Sequence, residues 1–127
     1  MLANLKSFSS FSVNNINKAK EFYGKTLGLN VSEVSGMTGL LNIQTSGNEV
    51  MIYEKPDHEP AAFTVLNFRI KNIENKVDEL TKAGIQFEQY DQPEIKTNTK
   101  GISSGGGVKI AWFKDPSGNI LSIVEEQ

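Results

Sequence analysis

SGNEVMIYE, residues 46–54, returns near the end of the chain as SGNILSIVE, residues 117–125. In both, Ser-Gly-Asn reads as a turn whose glycine, Gly47 or Gly118, supplies the positive φ that tight connections demand. An apolar run then leaves each turn as a strand. A second matched pair lies upstream: FSVNNI (11–16) and FRIKNI (68–73) each read as a strand end, a polar turn containing Asn, and an isoleucine opening a helix. The two pairs stand in the same order, so the chain reads as a duplication. A repeat of this kind decides the fold before any single residue does.

The helices follow from period. Ile16, Ala19, Phe22 and Tyr23 share one helical face after the first strand, as do Ile73, Val77 and Leu80 after the second. Gly28 and Gly84 then stand where a left-handed cap ends a helix. Between helix and closing strand each half has room for two more strands, expected over 29–34 and 39–45 in the first and over 85–90 and 108–114 in the second. Each half therefore reads βαβββ, and the stretch KPDHEPAA (55–62) reads as a linker. The expected fold is α+β. It is expected as one domain over 1–127, with unit one at about 5–55 and unit two at about 62–125, because neither unit can bury both faces of its sheet alone. The helix-free faces would curve around a common cup.

Composition narrows the function classes. The 127 residues carry a net charge of −2, with 38% hydrophobic and 22% charged residues, which is ordinary for a globular chain. That balance gives no electrostatic footprint for nucleic acid or for an anionic membrane. There is no cysteine, so thiolate metal sites and cysteine nucleophiles are excluded. No secretory signal or membrane-length apolar run stands out, and a cytoplasmic location is the expectation.

At this point the motifs FY-x-x-x-LGL (Phe22 to Leu29) and F-K-D-P-S-G-N-I-L (Phe113 to Leu121), set in a duplicated βαβββ pattern, resemble the vicinal oxygen chelate superfamily. Its members include glyoxalase I, extradiol dioxygenases, and the fosfomycin- and bleomycin-resistance proteins. The resemblance implies a divalent metal held by His and Glu from the first and last strands of each unit. Carried onto this chain, those places fall at Phe8, Met51, Val65 and Ser122. Phe and Val offer no donor atom, and a thioether and a neutral hydroxyl are poor partners for hard divalent ions. No metal and no cofactor are therefore expected, and Ser122 stands where a catalytic relative has a carboxylate.

Strand alternation sends Phe8, Ser10, Ser12, Val65, Asn67 and Arg69 toward the cup, with Met51, Tyr53 and Ser122 on the closing strands. This apolar ring with a few small polar groups suits a small, partly aromatic ligand. Trp112 is a further candidate whose side the sequence leaves open. His58 reads as an exposed linker residue. The polar stretch 91–107 reads as a mobile flap; its three glycines open no helix, so they are not a phosphate-cradling loop.

Three functions stay open. The first is a metal-independent small-molecule binder, a homodimer if it resembles the bleomycin-resistance proteins in assembly. The second is a glyoxalase-like lyase or isomerase, or a dioxygenase, with a divergent site. The third is an interaction module whose cup is filled by its own side chains.

Overall fold

The computed structural model describes residues 1–126. The chain divides into two compact units, one ending at Glu59 and the other beginning at Pro60. Unit one contains β1 (Ser9–Val13), helix α1 (Ile16–Glu21), a π-helical turn (Phe22–Thr26), β2 (Asn30–Glu33), β3 (Leu40–Thr45) and β4 (Asn48–Glu54). Unit two contains β5 (Thr64–Arg69), α2 (Ile73–Lys82), β6 (Ile102–Gly105), β7 (Val108–Lys114) and β8 (Ile120–Glu126). Each unit is a βαβββ repeat with its own four-stranded mixed sheet, in the order β1-β4-β3-β2 or β5-β8-β7-β6. The first and last strands of each unit pair in parallel, and the other pairs are antiparallel.

Residues shared by the two repeats fix the helices. Asn15 and Asn72 cap α1 and α2, accepting hydrogen bonds from the Lys18 and Asn75 backbone N–H groups at 3.0 and 3.3 Å. The glutamates that end the repeated closing strands cap them again. Glu54 accepts from the Ile16 N–H at 3.4 Å, and Glu125 from the Ile73 N–H at 2.7 Å. A carboxylate there meets orphan N–H groups at the positive end of a helix.

Packing follows the expected faces. In unit one Val13, Ala19, Tyr23, Leu41, Ile43, Val50 and Ile52 are buried. Tyr23 stands edge-on to Phe22 at 5.1 Å and lies 6.1 Å from Phe11, which places odd-numbered β1 residues on the helix side. The FY-x-x-x-LGL motif is thus a core anchor followed by a helix end: Gly28 has φ +70, and the Leu29 N–H reaches back to the Tyr23 carbonyl at 2.9 Å. In unit two Leu66, Ile73, Val77, Ala111, Phe113, Leu121 and Ile123 form the matching core.

Two expectations about unit two need correction. Residues 85–90 do not form a strand; a single bridge joins Phe87 to Phe113, and the Glu88 N–H donates to the Trp112 carbonyl at 2.8 Å. The edge position is instead filled farther along β7 by β6, which lies inside the stretch read as a flap. The edge is therefore one interrupted strand, with residues 89–101 looped out. That loop is tied down. Asn98 Oδ1 accepts from the Lys100 and Ile102 N–H groups at 2.9 and 3.0 Å, Thr97 Oγ1 accepts from the Tyr90 N–H at 2.9 Å, and Gln89 Nε2 donates to the Thr99 carbonyl at 2.9 Å. Gly106 and Gly107, with φ +61 and +80, make the two-residue turn of the β6–β7 hairpin.

Candidate functional site

The helix-free face of unit one is built by alternation against its core. Ser10 and Ser12 of β1 align with Met51 and Tyr53 of β4, and Asn42 and Leu40 of β3 align with the same two residues. Ser32 of β2 lies opposite Asn42. A central row therefore reads Ser10, Met51, Asn42, Ser32, and the adjoining row reads Ser12, Tyr53, Leu40. Tyr53 is 38% exposed. Phe8 precedes β1 and is 59% exposed, so the parallel ladder ends before it.

His58 departs from its expectation. It is half-buried rather than an exposed linker residue. Its N–H donates to the Lys55 carbonyl at 3.0 Å, closing the turn that follows β4. That turn brings the His58 Nδ1 within 2.6 Å of Ser12 Oγ. Lys55 and Asp57 of the same turn pair with each other, Nζ to Oδ1 at 2.7 Å. The hydrogen bond from Lys55 holds the Asp57 carboxyl below its ordinary range, and the same bond raises the Lys55 ammonium above its own.

In unit two the corresponding row is Asn67, Ser122, Trp112. This settles the side on which Trp112 lies: it aligns with Ser122, while Phe113 aligns with buried Leu121. The Trp112 ring meets Tyr90 edge-on at 5.6 Å. Ser122 is fully buried, and its hydroxyl donates to Asn67 Oδ1. The next row is Arg69, Val124, Ile110. Arg69 ends its strand in solvent, with a side chain 83% exposed and paired to Glu126. Val65 does not keep the alternation assumed for it. A bulge between Thr64 and Leu66 aligns Thr64 with Ile120 and leaves Val65 as the extra residue.

The D-P-S-G-N turn is a structural element. Asp115 Oδ1 accepts from the Ser117 and Asn119 N–H groups, each at 2.9 Å, and Oδ2 accepts from Asn119 Nδ2 at 2.9 Å. These three residues are buried and satisfy one another. Gly118, at φ +85, also leaves room for Pro60: a Cβ there would lie 3.2 Å from its ring.

The donor set does not suit a divalent metal at the positions to which the resemblance carries its ligands. Unit one offers Phe8 and Met51, and unit two offers Val65 and Ser122, whose hydroxyl is engaged by Asn67. Among the described residues no three His, Cys, Asp or Glu side chains come together. Open depressions do occur elsewhere, one of about 630 Å³ beside α2 and one of about 690 Å³ beside α1 and the β2–β3 connection. Neither is lined by any of the candidate residues.

One polar group on these faces was not anticipated. Asn42 Oδ1 is shielded from solvent and has no hydrogen-bond partner. A signal was present in the sequence: in LLNIQT the asparagine interrupts an apolar run at the alternate position between Leu41 and Ile43.

Two βαβββ repeats, each with a parallel pairing of first and last strands, define the glyoxalase-type fold. The profile of the Glyoxalase/Bleomycin resistance protein/Dioxygenase superfamily matches residues 7–123, and the chain belongs to that superfamily. A glyoxalase family protein from Bacillus anthracis is similar over 100% of both chains, with a TM-score of 0.71 and 20% identity. An antibiotic binding protein from Streptomyces has a TM-score of 0.66 and 19% identity over 98% of each chain. A fosfomycin resistance protein from Listeria monocytogenes has a TM-score of 0.69 and 16% identity, over 97% of this chain and 91% of its own. At such identities the likeness concerns the fold. No curated protein matches the chain in sequence. No helix among the described residues is long and apolar enough to cross a membrane.

Proposed function

We propose that this protein binds a small, partly aromatic organic molecule against the helix-free faces of its sheets, without a metal. The observation that carries the reading is the donor set: the positions to which the resemblance carries the metal ligands hold Phe8, Met51, Val65 and Ser122. In their place the faces present apolar surface and neutral polar handles. Met51 adapts to irregular shapes, and Tyr53 and Trp112 offer flat rings for stacking. Ser10 and Asn67 supply exposed hydroxyl and amide groups of the kind that orient a ligand against an otherwise apolar face, and buried Ser122 orients the Asn67 amide through its hydrogen bond. Phe8, which precedes β1, and Arg69, which ends β5, are exposed at the ends of their own units' faces. The similarity in fold to an antibiotic binding protein supports the same class. The chain works as one domain and as a homodimer in this reading.

A second reading, an enzyme with a divergent site, draws on the Ser12–His58 contact at 2.6 Å. A hydroxyl beside an imidazole is a unit that can pass a proton.

The test is metal content after equilibration with zinc, nickel, manganese and ferrous iron, followed by desalting. Well under one metal per chain is expected. Near-stoichiometric metal would overturn the proposal. Thermal-shift screening of small aromatic compounds then identifies binders by a raised Tm, and product analysis of those compounds separates binding from turnover.

A further inference from the structure

The helix-free face of unit one contains a polar atom for which the protein supplies no partner. Asn42 sits mid-strand, with its backbone paired on both sides to Ser32 and Met51. Its neighbours along β3, Leu41 and Ile43, are buried in the helix-side core, so the Asn42 carboxamide belongs to the opposite face. Its Oδ1 is shielded from solvent and accepts no hydrogen bond. Met51 and Leu40 have no donor, the Gln44 amide nitrogen is committed to the Thr45 and Asn48 carbonyls at 3.3 and 3.2 Å, and the Ser32 hydroxyl, opposite Asn42 on β2, makes no hydrogen bond to it. A leucine or valine there would extend the apolar run of Leu40, Leu41 and Ile43 and leave no polar atom to satisfy, whereas a dry, unpartnered amide oxygen is destabilising.

We infer that Asn42 is the hydrogen-bond acceptor for the ligand, which therefore carries an N–H or O–H donor at the edge of its aromatic body. Access to Oδ1 comes through Met51, the cross-strand neighbour whose unbranched thioether changes rotamer easily. The bound body then covers Met51 while its donor meets Oδ1. This inference rests on the small-molecule reading above and adds to it the chemistry that the ligand must present.

Two arms test it. In the first, the unliganded wild type is compared with Asn42→Leu and Asn42→Val by urea denaturation. Removing an orphan oxygen should raise the folding equilibrium constant, by about tenfold for whichever variant packs better. A loss in both variants would mean that Oδ1 is already satisfied, for instance by water, and overturns the inference. In the second arm, indole and benzofuran serve as probes of one shape with and without an N–H. Wild type should bind indole about tenfold more tightly, and the better-folded variant should bind the two alike. If wild type binds both equally, the binding reading stands and the role of Asn42 falls. If wild type binds neither, the small-aromatic reading falls and the ligand role of Asn42 with it.

Discussion

Across the helix-free face of unit one, the central row runs Ser10, Met51, Asn42, Ser32. In unit two the equivalent places hold Asn67, Ser122 and Trp112. The backbone pairing is the same, but the polar groups are handled in opposite ways. In unit two Asn67 and Ser122 satisfy each other, and Trp112 rests against Tyr90. In unit one the amide has moved two strands over, to β3, and its oxygen has no partner. The edge beyond the row differs as well. β2 is continuous in unit one, whereas in unit two the edge is broken between Glu88 and Ile102. Duplication has preserved the frame and the caps, and the two copies have diverged where side chains leave the helix-free face.

The strongest way to break this comparison is to disturb the interrupted edge. Gly101 has φ +84, and a Cβ there would lie 2.9 Å from Phe87 Cβ and 3.1 Å from the Glu88 carbonyl oxygen. Gly101→Ala combines a disfavoured backbone with a steric overlap and should cost about 3 kcal/mol in urea denaturation. A cost below about 1 kcal/mol would show that the two edge fragments are not pinned together there.

A smaller effect sharpens the account of the closed row. Ser122 is fully buried, whereas Asn67 is exposed and can be hydrated once freed. Asn67→Ala strands a buried hydroxyl and should cost about 1–2 kcal/mol, whereas Ser122→Ala should cost about 0.5 kcal/mol. The asymmetry is the signature, and equal costs would remove the argument that Asn67 exists to satisfy Ser122.

The smallest effect compares the two caps. Glu125 holds the Ile73 N–H at 2.7 Å in a partly buried setting, and Glu54 holds the Ile16 N–H at 3.4 Å in an exposed one. Glu125→Ala is expected to cost about 1 kcal/mol and Glu54→Ala about 0.3 kcal/mol, read as shifts in Tm. The reverse order would mean that the caps are not the source of the difference.

Much of the fold was legible because it is written twice. The SGN turns, the Asn caps and the 3.6-residue period of Ile73, Val77 and Leu80 each rest on local chemistry that needs no tertiary context. The broken edge was not legible. The residues of 85–90 have ordinary strand character, and only their position beside the C-terminal half of β7 leaves them with one bridge. Gly106 and Gly107, inside the stretch read as a flap, are the turn of a hairpin whose first strand, ISSG, is too short and polar to stand out. Alternation places Ser10, Met51, Asn67 and Ser122 in the helix-free rows, but it breaks between Thr64 and Leu66, where a bulge invisible to a period of two makes Val65 the extra residue. The Ser12–His58 contact joins residues 46 positions apart, and no local pattern announces such a pair.

The looped-out segment of the second edge has one more consequence. The chain departs after Glu88 and rejoins at Ile102, with Gly101 set against Phe87, so the two ends of the excursion are already neighbours. Its tip is closed by its own bridge between Asp91 and Lys96. A length change between those two residues does not have to bring distant points together, and doubling such a loop adds only about 0.6 kcal/mol of closure entropy. For protein engineering this tip is a graft site: a foreign peptide can be spliced in there while β7 and β8 keep their register.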